Sequence, residues 1–318
     1  SRFPGSGEFR GENPPYGALT TFSLSDEELP NAEELERRQE VGNNRKAAAD
    51  AEAGDEDAED DLPEITVRIR DAGGVVIREF DRPVHRGVNR VSWSLRRDAF
   101  KDPPRERPWW RTDPAGPEIL PGSYEVELQY GEHKATRPVR VLPDPRFEIA
   151  QADRDAKWEA ILESGALQET IAEAVTRIVS TRSDLDTVVR KRTRALNEQD
   201  DGDAKAKVKG DPVIGAANEL RDRLTEIEKK LWTPPKTPGI VAEKDALSKV
   251  GYAMFSLMST WEAPTPAQLD YLRQARALLD EILAELNEVF ATDVAEFRTM
   301  VAEEGIDLFQ EEEPLAIE

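Results

Sequence analysis

Two adjacent tryptophans, Trp109 and Trp110, and a run of carboxylates, Asp55, Asp57, Glu59 and Asp60, are the residues of this 318-residue chain whose types and spacing suit ligand chemistry. Indole faces stack on sugar rings, so the tryptophan pair suits a carbohydrate platform. The alternative is packing of its Pro-rich loop, residues 102–121, against the rest of the chain, because Trp usually buries most of its surface. The carboxylate run suits calcium, but it lacks the Gly and the terminal Glu that an EF-hand loop needs at fixed positions. It reads as a solvated acidic stretch, and no metal site is expected. His85 and His133 are the only histidines and both fall in turn-like sequence, which points to surface residues rather than to a metal pair. With no cysteine, disulfides, thiolate ligands and a Cys nucleophile are excluded. No HExxH, G-x-S-x-G, Walker A or G-x-G-x-x-G string occurs, so no catalytic residue is assigned and no cofactor is expected. A glycosidase needs two carboxylates at a set separation in a pocket, and nothing singles out such a pair among 65 acids.

The charge of −22 is concentrated along the chain. Residues 47–61 hold eight acids and no base, residues 303–318 hold seven and no base, and −7 remains for everything else. Such a chain repels phosphate backbones and anionic membrane surfaces, so nucleic acid is not an expected partner. No stretch reaches the ~20 apolar residues that a spanning helix requires.

The elements that would carry these residues fall into two halves. Residues 18–24 (ALTTFSL) alternate as a half-buried strand, and Ile65, Val67 and Ile69 resume the alternation after an acidic insertion at 26–61 with a short helical piece near its start. Asp71 to Gly74 is hairpin sequence leading to a return strand at 75–80. Val88, Val91, Trp93 and Leu95 give the next strand, with Trp93 as core anchor. Two further strands enter from Leu120-Pro-Gly-Ser123 and leave through Gly131. Six or seven strands at this spacing predict a fibronectin-III-like or immunoglobulin-like β-sandwich over 18–146.

From residue 147 the period changes to about 3.6. A first helix traced by Trp158, Ile161, Ile171, Val175, Ile178, Leu185 and Val188 runs to about Asn197. A polar loop follows, at residues 198–210. Asp211-Pro212 reads as an N-cap with Pro in the first turn, opening a second helix. A third is expected over about 243–261, and Thr265-Pro-Ala-Gln268 is a capping box for a fourth. There Leu269, Leu272, Leu279, Leu283, Leu286, Phe290, Phe297 and Val301 make a near-heptad stripe. The expectation is a long antiparallel four-helix bundle or helical hairpin over 147–303, the stripe forming its core or, alternatively, pairing with another chain, and an acidic tail at 304–318.

In order and spacing, Asn13-Pro14-Pro15-Tyr16-Gly17-Ala18, the Asp71 to Gly74 hairpin, residues 87–96 (GVNRVSWSLR), Leu120-Pro-Gly-Ser-Tyr124 and Asp144-Pro-Arg146 resemble the C-terminal region of bacterial sortilin-like, Asp-box (BNR) repeat proteins, often labelled glycosyl hydrolases. That resemblance implies an exported protein, periplasmic or at the cell surface, in which this region follows a large β-propeller. Residues 1–17 would then be the linker from the propeller, stiffened by Asn13, Pro14 and Pro15, with Tyr16 and Trp93 packed and Arg90 and Arg96 paired with carboxylates. The chain holds no Asp-box repeat, so the propeller's own activity is not carried over, and the acidic insertion is a second departure. The reading that follows is a non-catalytic accessory module whose partners are a β-propeller, in the same or a separate chain, or other protein subunits. A carbohydrate-active enzyme fragment or a glycan-binding module using Trp109 and Trp110 is the alternative.

Overall fold

The computed structural model describes residues 16–49, 62–104, 115–198, 204–234 and 244–306. They form two compact units, one holding the described residues up to Ala99 and from 115 to Glu148, the other those from Phe100 to Pro104 and from Ile149 onward. The chain is a β plus α protein with one very long helix. Trp109, Trp110, Asn13, Pro14, Pro15 and the run from Asp55 to Asp60 lie outside the described residues.

The first unit contains β1 (Ala18–Leu24), α1 (Ala32–Ala49), β2 (Glu64–Arg70), β3 (Val76–Pro83), β4 (Gly87–Trp93), β5 (Arg96–Asp98), β6 (Ala115–Glu118), β7 (Gly122–Tyr130) and β8 (His133–Val141). The strands pair antiparallel as β1-β4, β3-β2-β7-β8 and β5-β6. Alternation sets which side chains are buried. Ile65, Val67 and Ile69 of β2 are at most 2 % exposed, and Leu128 and Val126 of β7 stand opposite Val67 and Ile69. Thr66, Arg68 and Arg70 take the other face, because successive strand residues point to opposite sides.

The β2–β3 hairpin closes as its sequence predicts. The Asp71 carboxylate accepts from the amides of Gly73 and Val75, both at 2.9 Å, and Gly74 takes the left-handed φ of +79° that favours glycine. At the start of β1, Gly17 has φ +117°, and a Cβ there would lie 2.0 Å from the Trp93 carbonyl oxygen. Trp93 is 3 % exposed, donates its indole N–H to the Arg96 carbonyl at 2.8 Å and meets Tyr124 edge to face at 5.6 Å.

Several local expectations change. Leu95, read as the end of a strand, has φ +57°, so β4 stops at Trp93 and the chain turns into β5. The eight strands described here exceed the six or seven expected, because β5 and β6 are too short to show alternation. The helical piece in the insertion runs for 18 residues, with Asn31 capping it through the Glu34 amide at 2.8 Å.

The second unit contains α2 (Gln151–Glu198), α3 (Ala204–Gly210), α4 (Pro212–Leu231), α5 (Ala246–Met258), α6 (Pro266–Val289), a π-helical turn (Phe290–Val294) and α7 (Ala295–Glu303). At 1.5 Å per residue, the 48 residues of α2 span about 70 Å. Its apolar line packs with α4, α5 and α6 around one core that includes Ile171, Ile178, Leu224, Leu257, Leu279 and Leu286. The stripe expected on the last helix splits: Leu272, Leu279, Leu286 and Phe297 are buried, while Leu269, Leu283, Phe290 and Val301 are partly buried against the same core.

Both anticipated caps are present. The Asp211 carboxylate accepts from the amides of Val213 and Ile214, and Thr265 with Gln268 forms the reciprocal box. The stretch read as a polar loop contains α3, and the fourth helix is interrupted by the π turn rather than continuous. Glu304, assigned to the acidic tail, pairs with Arg192 at 3.0 Å, and Arg192 also holds Asp211 at 2.8 Å. Phe100 belongs to this unit rather than to the strands: its ring fills the notch at Gly165, where a Cβ would come within 2.1 Å of it.

Candidate interaction surface

Helix α5 carries a single charged residue, Lys249, and its two faces do different things. Asp245 caps it through the Ser248 amide at 2.8 Å, which fixes its start. Ala246, Val250, Ala253 and Leu257, on an i, i+4, i+7 line, are at most 1 % exposed and join the core. The turn into α6 is held by Gln268, whose side-chain N–H donates to the Ser256 carbonyl at 2.6 Å while its oxygen accepts from the Thr265 amide at 2.9 Å.

The opposite face of α5 carries Tyr252, Phe255 and Met258, exposed by 55, 71 and 41 %, and the turn adds Trp261 at 56 %. Tyr271 of α6, 43 % exposed, meets Tyr252 edge to face with centroids 5.0 Å apart. Residues 250–261 (VGYAMFSLMSTW) include no charged side chain, although 34 % of the whole chain is charged. Aromatic side chains of ~150–250 Å² each, exposed to this degree, put roughly 500 Å² of apolar surface in water. Patches of that size on a folded protein are commonly binding surfaces. Sequence reading placed a helix here and assigned it no surface role. The detectable signal was the charge-free run 250–261 on a helix whose other face already fills the core.

The residues singled out from sequence take other positions. Tyr16 is 65 % exposed rather than packed. Its hydroxyl donates to Glu118, and that bond, helped by partial burial, pushes its pKa up to about 12. Arg96 donates to the Gly116 carbonyl at 3.2 Å and Arg90 to the Thr21 hydroxyl at 3.3 Å, so backbone and hydroxyl oxygens take the place of the expected carboxylates. The Arg146 guanidinium beside Asp144 lowers that carboxyl to about 2. His85 donates its Nδ1–H to the Arg86 carbonyl, 2.8 Å away, and His133 opens β8. Among the described residues no three His, Cys, Asp or Glu side chains converge as metal ligands would.

A cavity of about 360 Å³ lies between α4 and the π turn, lined by Glu219, Leu220, Asp293, Glu296 and Phe297 among others. Arg223 and Asp293, which form an ion pair, are also among its lining residues. No helix among the described residues is long and apolar enough to cross a membrane. Compared with known proteins, no family model, no curated protein and no solved structure matches the chain.

Proposed function

We propose that this chain is a non-catalytic accessory module that docks another protein surface against the outer face of α5 and α6, within an exported protein of the sortilin-like, Asp-box propeller kind that its sequence resembles. In this reading the strands are the layers of a fibronectin-III-like sandwich, and α2, α4, α5 and α6 are the members of an antiparallel bundle. The shared core of the four helices and the antiparallel pairing of the strands support that reading. The partner is a β-propeller or another subunit.

The observation that carries the function is the exposed aromatic face itself, whose stretch 250–261 holds no charged residue. Tyr252, Phe255, Met258, Trp261 and Tyr271 supply the residue types that dominate the centres of protein interfaces, where charge is depleted and aromatic side chains are enriched. Hydroxyl-radical footprinting of the native assembly, set against the isolated chain at high dilution, tests it. Labelling of these five residues should fall severalfold in the assembly, while Leu142, 67 % exposed on the first unit, serves as reference. Equal labelling of the five in both states would refute the docking role.

A further inference from the structure

We propose that the occupant of this face is a second copy of the same chain, with α5 crossing its symmetry mate about a two-fold axis so that each Phe255 seats over the other copy's Gly251. The proposal rests on the docking role just given to α5 and α6 and names its partner. Three observations lead to it.

The first is a matched projection and gap on one ridge. Gly251 lies in the interior of α5, where glycine weakens a helix relative to alanine. Its backbone is not in the left-handed region, and a Cβ added there would meet nothing within 4 Å, so this chain's own fold gives no reason for the glycine. One turn along, Phe255 is 71 % exposed. In a two-fold pair, residue i meets j of the mate and j meets i. A gap and a projection at i and i+4 therefore satisfy each other twice when the helices cross along their i, i+4 ridges. By contrast, Gly215 of α4 also has open space around it, but the residue one turn on is the exposed Glu219, which offers no apolar projection.

The second is charge. Each copy is net acidic, at −7 even outside the two acidic tracts, and the screening length of about 8 Å at physiological salt leaves repulsion between like-charged surfaces in force at contact. The charge-free stretch 250–261 is a place where copies can approach without it.

The third is area. Roughly 500 Å² of apolar surface from each copy gives about 1,000 Å² before the polar rim is counted, which is where specific interfaces begin.

Sedimentation velocity over a wide concentration range, on the whole chain, tests the proposal. The wild type should move from 35.6 kDa towards twice that mass as concentration rises. Gly251→Glu should stay monomeric with an unchanged circular dichroism spectrum and, at concentrations where the wild type is monomeric, a melting temperature no lower than the wild type's, because the new side chain enters open space and glycine is the weaker helix former. Since the chain has no cysteine, Gly251→Cys should be joined to its mate by a short bismaleimide, and Gly215→Cys should not. A wild type that remains at 35.6 kDa throughout, or a Gly251→Glu variant that dimerises as tightly as the wild type, would overturn it. If the footprint on the native assembly persists while the isolated chain stays monomeric, the docking role survives with a different partner. If neither appears, both readings fall.

Discussion

On the polar face of the four-stranded sheet, Arg68 bonds Glu79, Glu127 and Gln129, and Arg70 and Lys134 close on the same Glu127 carboxylate at 3.4 and 3.9 Å. Across residues 250–261, on α5 and the turn after it, large apolar side chains meet water and no residue is charged. The sheet also protects its open side: β8 carries Lys134, Arg137, Pro138 and Arg140 and is exposed over most of its length. Charged residues and proline on an outer strand discourage a further strand from pairing. The polar face of the sheet and its β8 edge thus present charge to solvent, whereas the outer face of α5 presents aromatic carbon. The difference shows that exposure alone does not distinguish the two; what the exposed atoms are made of does.

Substitutions can break this contrast at several strengths. Trp93 is as buried as Phe255 is exposed, and Trp93→Ala should cost about 3–5 kcal/mol of folding stability, read as a large fall in the urea midpoint. A small effect would mean that the indole is not the anchor of the first unit.

In the second unit the corresponding weak point is a buried charge. Glu228, 3 % exposed, accepts from the Trp232 indole at 3.1 Å and pairs with Arg182 at 2.7 Å. Arg182→Met leaves that carboxylate without its cation and should destabilise by about 3 kcal/mol. Adding Glu228→Met should recover much of the loss, and a double variant as unstable as the single would rule out this account.

The two surfaces should also respond differently to acid. Burial pushes the Glu127 carboxyl up, but Arg68, Arg70 and Lys134 outweigh it and hold its pKa below the ordinary value. Its contribution is therefore present above the unfolded carboxylate pKa and is lost as pH falls through the lowered folded value. Protection factors of the β2 and β7 amides, corrected for the intrinsic pH dependence of exchange, should fall on acidification in the wild type and less so in Glu127→Gln. An identical acid response in both would remove the ion-pair ladder as its cause.

The smallest expected effect is at the face itself. Phe255→Ser should change monomer stability by no more than about 0.5 kcal/mol, as surface substitutions usually do. A larger loss in a monomeric sample would show that Phe255 holds its own fold together.

Where local chemistry decides structure, it was legible. The Asp71 hairpin, the Asp211-Pro212 start of α4 and the Thr265 to Gln268 box each depend on residues within a few positions of one another, and each is present. Elements decided by distant partners were not. β5 exists because β6 arrives from a different part of the chain, Leu95 adopts its positive φ to let the chain turn between β4 and β5, and Phe100 leaves the strand-rich half because Gly165 offers it a notch. The π turn inserts an extra residue where a strict heptad would have placed Asp293 in the core, and Asp293 instead meets Arg223. At α5 the helix itself was legible, whereas its division into a buried and an exposed apolar face depends on the neighbouring helices that cover only one side. Trp109 and Trp110, the residues most favoured from sequence for ligand chemistry, lie outside the described residues.

Gly17 inverts the usual rule for mutational tolerance. It is solvent-exposed, and exposed positions normally accept most amino acids, yet the Trp93 carbonyl stands where any side chain would have to begin. In a saturation library this position should behave like an interior one, depleted of every replacement down to alanine, while Gly251, equally exposed, accepts changes whenever folding alone is selected. Two surface glycines that look alike by accessibility would thus separate into one forbidden by the chain's own backbone and one restrained only by what the molecule meets.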